Sequence, residues 1–206
     1  MLQRLSAGGS DGRVDVLVRR PRSSPAVGGD RIHTHVVDFA ALPAGLPATD
    51  DVYIALGTTI KAAGSEAAFR AVDFDAVVAV ARAGRAAGAT RLAVVSALGA
   101  DSGSRVFYNR VKGDMEAAIA DLGYGSVAIA QPSLLMGDRA ALGQPLRSGE
   151  VWATRLLSPV MRFVPAGIRP IAAADVAAAL IAAAAEAKSG VRILSSAVMQ
   201  GASQRR

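Results

Sequence analysis

Three residues have the types and spacing to do proton chemistry. Tyr108 and Lys112 stand four positions apart, so in a helix they share one face, a single turn from each other. An ammonium beside a phenol favours the phenolate and lowers a pKa that is ordinarily about 10. A phenol tuned in this way can give or take a proton at a carbonyl or alcohol oxygen. Ser96 comes twelve residues before the tyrosine, at the end of an apolar run, where its hydroxyl could reach the same substrate oxygen. The competing reading is an exposed helical tyrosine with an unrelated lysine. With three tyrosines and three lysines (Lys61, Lys112, Lys188) in 206 residues, such a pair arises by chance about 4% of the time. The serine-ended strand just ahead of the pair favours chemistry.

The elements that must position these residues alternate in kind. Short β-branched runs at Val14–Val18, Arg31–Phe39, Asp51–Leu56, Arg91–Leu98, Ser126–Ala130 and Val191–Leu194 read as strands. A helix follows Ser65, which can cap it. Phe69, Val72, Ala76, Val80 and Ala83 recur on its inner face, and Gly88 stops it. Further helices are predicted over Phe107–Leu122, Glu150–Leu157 and Asp175–Ala187, and Met1–Ser6 reads as the last turns of another. Strands alternating with helices imply crossover units and a parallel sheet covered on both faces. The expected architecture is a single α/β domain over 1–206. Residues 137–170 would form a small substrate-side lid, with Trp152 and Met161–Phe163 as lid or core, and residues 198–206 a frayed tail. Ligands of such sheets lie beyond the carboxyl ends of the strands, which singles out Arg19, Asp38, Gly57, Ser96 and Pro132.

Composition removes several classes. There is no cysteine, which excludes a disulfide scaffold, a thiolate nucleophile and a cysteine-ligated metal. The net charge is +6, but the basic residues are scattered and lack a dense stripe interleaved with aromatics, so no nucleic-acid partner is expected. Residues 1–20 hold no apolar signal segment, and Ile171–Ala187 is short and interrupted by Asp175 and Glu186. No membrane association and a cytoplasmic location are therefore expected. His33 and His35 point to one face of a strand with no carboxylate at ligand spacing, so no metal site is expected. Asp73 and Asp75 lie in a helix, with Asp73 read as a surface group or a support to the site. The oligomeric state is left open, with a homodimer among the options.

Three stretches carry a family resemblance. They are Val94-Val95-Ser96-Ala97-Leu98-Gly99-Ala100-Asp101, Phe107-Tyr108-Asn109-Arg110-Val111-Lys112-Gly113, and Gln131-Pro132-Ser133-Leu134-Leu135-Met136-Gly137-Asp138-Arg139. Together they resemble the short-chain dehydrogenase/reductase superfamily. Within it, Ala55-Leu56-Gly57-Thr58-Thr59, Phe69-Arg70-Ala71-Val72-Asp73 and Arg169-Pro170-Ile171 are similar to the atypical branch of Tat-interacting-protein-like oxidoreductases and their epimerase/dehydratase relatives. The resemblance spans roughly residues 12–196.

It implies a Rossmann-like, doubly wound parallel sheet and a hydride-transferring enzyme acting on an unidentified small carbonyl or alcohol. Tyr108 would be the general acid/base. Lys112 would lower its pKa and bind the nicotinamide ribose, and Ser96 would orient the carbonyl. Pro132 and Ser133 would border the nicotinamide, with Asp38 and Leu56-Gly57-Thr58 at the adenine end. Arg19 and Arg20 stand where an NAD site usually has an acid, and arginine suits a 2′-phosphate, so NADP is expected over NAD. A solvated turn before Pro21 would explain the two arginines equally simply. One departure stands out. Relatives open with a strand and a glycine-rich turn that cradles the pyrophosphate, whereas Gly8, Gly9 and Gly12 follow a helix here. The expectation is that the first strand is missing and the true start lies upstream. The alternatives are a truncated inactive form or a non-catalytic binding protein of the same fold. The strands flanking the gap, Val14–Val18 and Asp51–Leu56, would then pair together or leave open edges.

Overall fold

The computed structural model describes residues 1–7, 12–21, 29–136, 165 and 167–203. The expected helix at Glu150–Leu157, most of the lid, Trp152 and Met161–Phe163 lie outside those residues. The β-branched runs form strands β1 (Val14–Val18), β2 (Ile32–Val36), β3 (Asp51–Ile54), β4 (Arg91–Val95) and β5 (Ser126–Gln131). Two-residue strands β6 (Leu135–Met136) and β7 (Ile171–Ala172) and a final strand β8 (Gly190–Ser195) follow. Every pairing is parallel, as β1-β2, β3-β4-β5-β8 and β6-β7. Among the described residues no ladder joins β1 to β3, so of the two predicted outcomes the structure shows open edges.

Helices cover both faces of the four-stranded sheet. On one face, Leu92 and Val94 of β4 and Val127 and Ile129 of β5 pack against α4 (Val77–Ala86) and α5 (Phe107–Ala120) through Val77, Ala81, Met115 and Ile119. On the other face, Ala93, Ala128 and Ala130 face α6 (Ala173–Glu186) and α7 (Ser196–Ser203) through Val176, Leu180, Ala183 and Met199. The strand pleat divides β4 and β5 cleanly between the two layers. The alanines on the second face let the alanine-rich α6 approach closely. Doubly wound α/β architecture of the Rossmann type is thus realised. Met1, just ahead of α1 (Leu2–Ala7), packs against the same α6 layer.

Two local readings need correction. Residues from 198 were expected to fray, but α7 runs to Ser203, and its Met199 is a fully buried core residue. The long helix after Ser65 is three pieces. They are α3 (Glu66–Arg70), a π-helical turn (Ala71–Ala76) and α4, preceded by a short α2 (Ile60–Ala63). Ser65 caps α3 as expected, accepting from the Ala68 amide at 3.1 Å. The π turn adds a residue to the winding, so the inward positions become Phe69, Asp73, Ala76, Val77 and Ala81. Val72, expected inward, is only partly buried.

Tyr124 links the sheet's foot to α4, its hydroxyl donating to the Ala81 carbonyl at 2.6 Å. Burial pushes its pKa from 10.0 up to about 12, and burial does the same for Tyr53. A phenol whose folded pKa is raised stabilises the fold below the unfolded value and loses that contribution as pH rises towards the folded one. Denaturant melts at increasing pH are therefore expected to show stability falling between about pH 10 and pH 12. Tyr124→Phe should flatten that slope while lowering stability at neutral pH by about 1 kcal/mol, the contribution of one hydrogen bond.

Candidate active site

Ser96 follows β4, and the ladder continues through it. Its amide donates to the Ala130 carbonyl at 2.8 Å, and the Leu98 amide donates to Pro132 at 2.9 Å. Pleat alternation therefore turns Ser96 to the same face as Leu92 and Val94, the face that α5 covers. Its hydroxyl is buried and has no hydrogen-bond partner among the described residues. Gln131 ends β5 on that face too, and its amide nitrogen lies 3.0 Å from both oxygens of Glu116 on α5.

α5 presents Tyr108, Lys112 and Glu116 at successive rungs of this face. The Tyr108 ring packs on Phe69 of α3, with centroids 5.3 Å apart at 39°. Lys112 is buried, and its ammonium lies 2.6 Å from Asp73 Oδ1. The second Asp73 oxygen accepts the Thr58 amide at 2.8 Å, just past the carboxyl end of β3. Asp73 is thus buried between Lys112 and the Thr58 amide, and the surface reading of it is wrong. Gly57 stands against it so closely that a Cβ there would come 3.3 Å from Asp73 Oδ1.

The electrostatics differ from the expectation. Lys112 was expected to lower the Tyr108 pKa, but burial, and then the negative charge of Asp73, push it above 10.0. The ammonium is engaged by a carboxylate, so the pair offers the phenol little net positive field. Tyr108 is therefore a phenol that keeps its proton at neutral pH.

The other candidates divide. Pro132 is buried and its carbonyl is used by Leu98. The Ser133 hydroxyl is committed within the fold, donating to the Arg169 carbonyl and lying 3.0 Å from Ser196 Oγ. Leu56 packs against the α4/α5 core, so among Leu56, Gly57 and Thr58 it is the latter two that meet Asp73. Asp38 accepts the Ala40 amide at 2.9 Å, closing its own exposed turn. Arg19 and Arg20 are exposed immediately beyond β1. His35 does find a carboxylate, Asp15 at 2.6 Å, because β1 and β2 pair in parallel. Among the described residues no group of three or more possible metal ligands occurs. An open apolar hollow of about 360 Å³ between Leu42–Leu46 and Ala79, Ala83, Ala86 and Ala87 holds no titratable group and lies apart from these residues.

The loop between Ser96 and α5 is held by α5 itself. Asn109 accepts the Asp101 amide at 3.0 Å through its carbonyl, and Arg110 donates to the Ser104 carbonyl at 2.9 Å. Gly113 permits this closeness, since a Cβ there would lie 2.1 Å from the Ser102 nitrogen. Gly113→Ala is expected to displace the loop and destabilise the fold by about 3 kcal/mol or more. Thermal melts and proteolysis of the 99–106 segment would measure it.

A parallel sheet wound on both faces by helices, of the kind described above, defines a protein of the Rossmann type. No family model matches the chain. Its sequence is 32% identical to the protein fmp52, mitochondrial, of Aspergillus fumigatus over 195 residues, covering 92% of this chain and 80% of that protein. It is 38% identical to FMP52, mitochondrial, of Coccidioides immitis over 61% of the chain and 56% of that protein. It is 32% identical to HTATIP2 of Rattus norvegicus over 69% of the chain and 58% of that protein. The chain belongs to this FMP52/HTATIP2 family of atypical short-chain dehydrogenase/reductases. With these last two relatives the match spans less than two thirds of the relative's length. Its fold is that of MoeE5 in complex with UDP-glucose and NAD (TM-score 0.63, 16% identity, 88% of this chain and 67% of that one). It is also that of dTDP-4-dehydrorhamnose reductase from Bacillus anthracis in complex with NADP (TM-score 0.59, 13% identity, 91% and 76%). The cytoplasmic expectation is overturned by the relatives, whose names place FMP52 in mitochondria. Among the described residues no helix is long and apolar enough to cross a membrane.

Proposed function

We propose that the chain carries the proton-transfer side of an NADP-dependent oxidoreductase that reduces a small carbonyl compound. The observation behind this reading is the buried, unpartnered Ser96 hydroxyl on the α5 side of the sheet, the side on which Tyr108 and Lys112 stand. A buried hydroxyl without a partner costs about 1–3 kcal/mol, which a ligand oxygen at that point would relieve. These residues fit the nicotinamide end of a dinucleotide. Lys112 and Pro132 would hold it, the Gly57-Thr58 turn would flank the adenine end, and Arg19 and Arg20 would meet a 2′-phosphate. When bound, the dinucleotide supplies the hydride.

The chain's own residues handle the proton. Ser96 Oγ donates a hydrogen bond to the substrate oxygen and orients it. Tyr108, which keeps its proton at neutral pH, delivers it to that oxygen. Held in its protonated form, the phenol is in the state needed for the acid of a carbonyl reduction. Phe69, fully buried, packs on both the Tyr108 and Phe107 rings, at 5.3 and 6.0 Å between centroids, and fixes the ring that carries the phenol.

Fluorescence titration with NADPH and NADH tests the reading. NADPH is expected to bind more tightly, and replacing Arg19 and Arg20 together by alanine should weaken NADPH about tenfold with little effect on NADH. Tyr108→Phe should lower turnover about a hundredfold while leaving NADPH affinity unchanged. Failure to bind either nucleotide would remove this function.

A further inference from the structure

The face of α5 that carries Tyr108 and Lys112 is met by a second face with the same spacing. Phe69 and Asp73 also stand four apart, and they meet Tyr108 and Lys112 respectively. Asp73 is 1% exposed and Lys112 4%. Stability alone explains such a pair poorly, because apolar residues of similar volume commonly do as well or better. Its construction is specific. The π turn carries Asp73 inward, the Thr58 amide fixes one oxygen, and the side-chain-free Gly57 leaves room for the other. Neighbouring Arg70 does not compete for the carboxylate, being committed to Asp114 at 2.9 Å and to the Phe74 ring at 4.3 Å. Asp75 is exposed.

We infer that Asp73 is a positioning residue, whose carboxylate holds the Lys112 ammonium at its rung of α5 and so governs the field at the Tyr108 hydroxyl. Only the kinetic consequence rests on the oxidoreductase reading. Around the phenol, the π turn contributes the charge of Asp73 and α3 the uncharged Phe69 ring, while the Lys112 ammonium, one turn further along α5, is engaged by Asp73.

The test uses Asp73→Asn, Asp73→Glu, and Asp73→Asn combined with Lys112→Gln, which leaves neither charge uncompensated if the single variant folds poorly. The first readout is the Tyr108 titration in the dinucleotide-free protein, taken as the ultraviolet difference between each protein and its Tyr108→Phe counterpart. Asp73→Asn should move that titration down by about one pH unit, since a negative charge leaves and the ammonium is freed. Asp73→Glu should restore part of the shift, and the double variant should shift less than Asp73→Asn alone. The second readout is the alkaline limb of the pH profile for NADPH-driven carbonyl reduction, which should move down with the phenol. A folded Asp73→Asn protein with an unmoved Tyr108 titration, or a double variant that shifts as far as the single one, would overturn the inference. If the titration moves while no protein binds or uses NADPH, the oxidoreductase reading fails and the positioning role stands.

Discussion

A carboxylate and an ammonium withdrawn from water together set the terms for everything near the candidate site. Each ion loses several kcal/mol of hydration on burial, and only close contact and further hydrogen bonds recover it. Asp73 and Lys112 meet at 2.6 Å, and the Thr58 amide takes the remaining carboxylate oxygen. Three elements are thereby locked: the turn after β3, the π turn, and α5. Neither the π turn nor α5 can move alone without stranding a charge, a loss of about 3–5 kcal/mol where one partner goes. Arg70 and Asp114 repeat the link nearer the surface with the signs exchanged, so the two helical segments have one register in which both pairs close.

The part of this site that follows a regular period was readable. Tyr108 and Lys112 needed only α-helical spacing, and Ser96 needed only the end of an apolar strand. Asp73 was harder to place, because a 3.6-residue period puts Val72 and Ala76 inward and leaves the acid beside the stripe. The π turn breaks that phase. The available signal was an acid four residues after a large aromatic that any reading buries. The Ser133 hydroxyl contact was out of reach for a different reason. The hydroxyl is satisfied by a carbonyl 36 residues further along the chain, a contact that no local pattern encodes. The His35–Asp15 contact is similar, since it depends on the β1/β2 pairing and not on sequence neighbours.

The strands and their alternation with helices followed from β-branched runs bounded by glycine and proline. Their ends did not, and Arg91–Leu98 contracts to Arg91–Val95, with only the Ser96 and Leu98 amides carrying the pairing further before the loop that Asn109 and Arg110 hold. The last helix was missed because Ser196–Ser203 contains small and polar residues of weak helix propensity. Tertiary contacts supply what propensity lacks. Met199 enters the α6 core, and Gln200 donates to the Arg169 carbonyl at 3.0 Å.

Two features that a stability-driven fold would avoid occur on one face of the sheet. One is the sealed ion pair, and the other is the orphan hydroxyl of Ser96. Apolar side chains of similar size would remove both penalties at the carboxyl end of β3 and β4. Elsewhere that face is built from Leu92, Val94, Val127 and Ile129, which shows that such residues fit the layer. The phenol beside the pair completes the pattern. Burial and the charge of Asp73 both keep the proton on Tyr108 at neutral pH. In the proposed reduction, the carbonyl oxygen turning into an alkoxide would take that proton. There Ser96 would offer that oxygen the hydrogen bond that nothing among the described residues accepts, and the bond would strengthen as the oxygen gains charge.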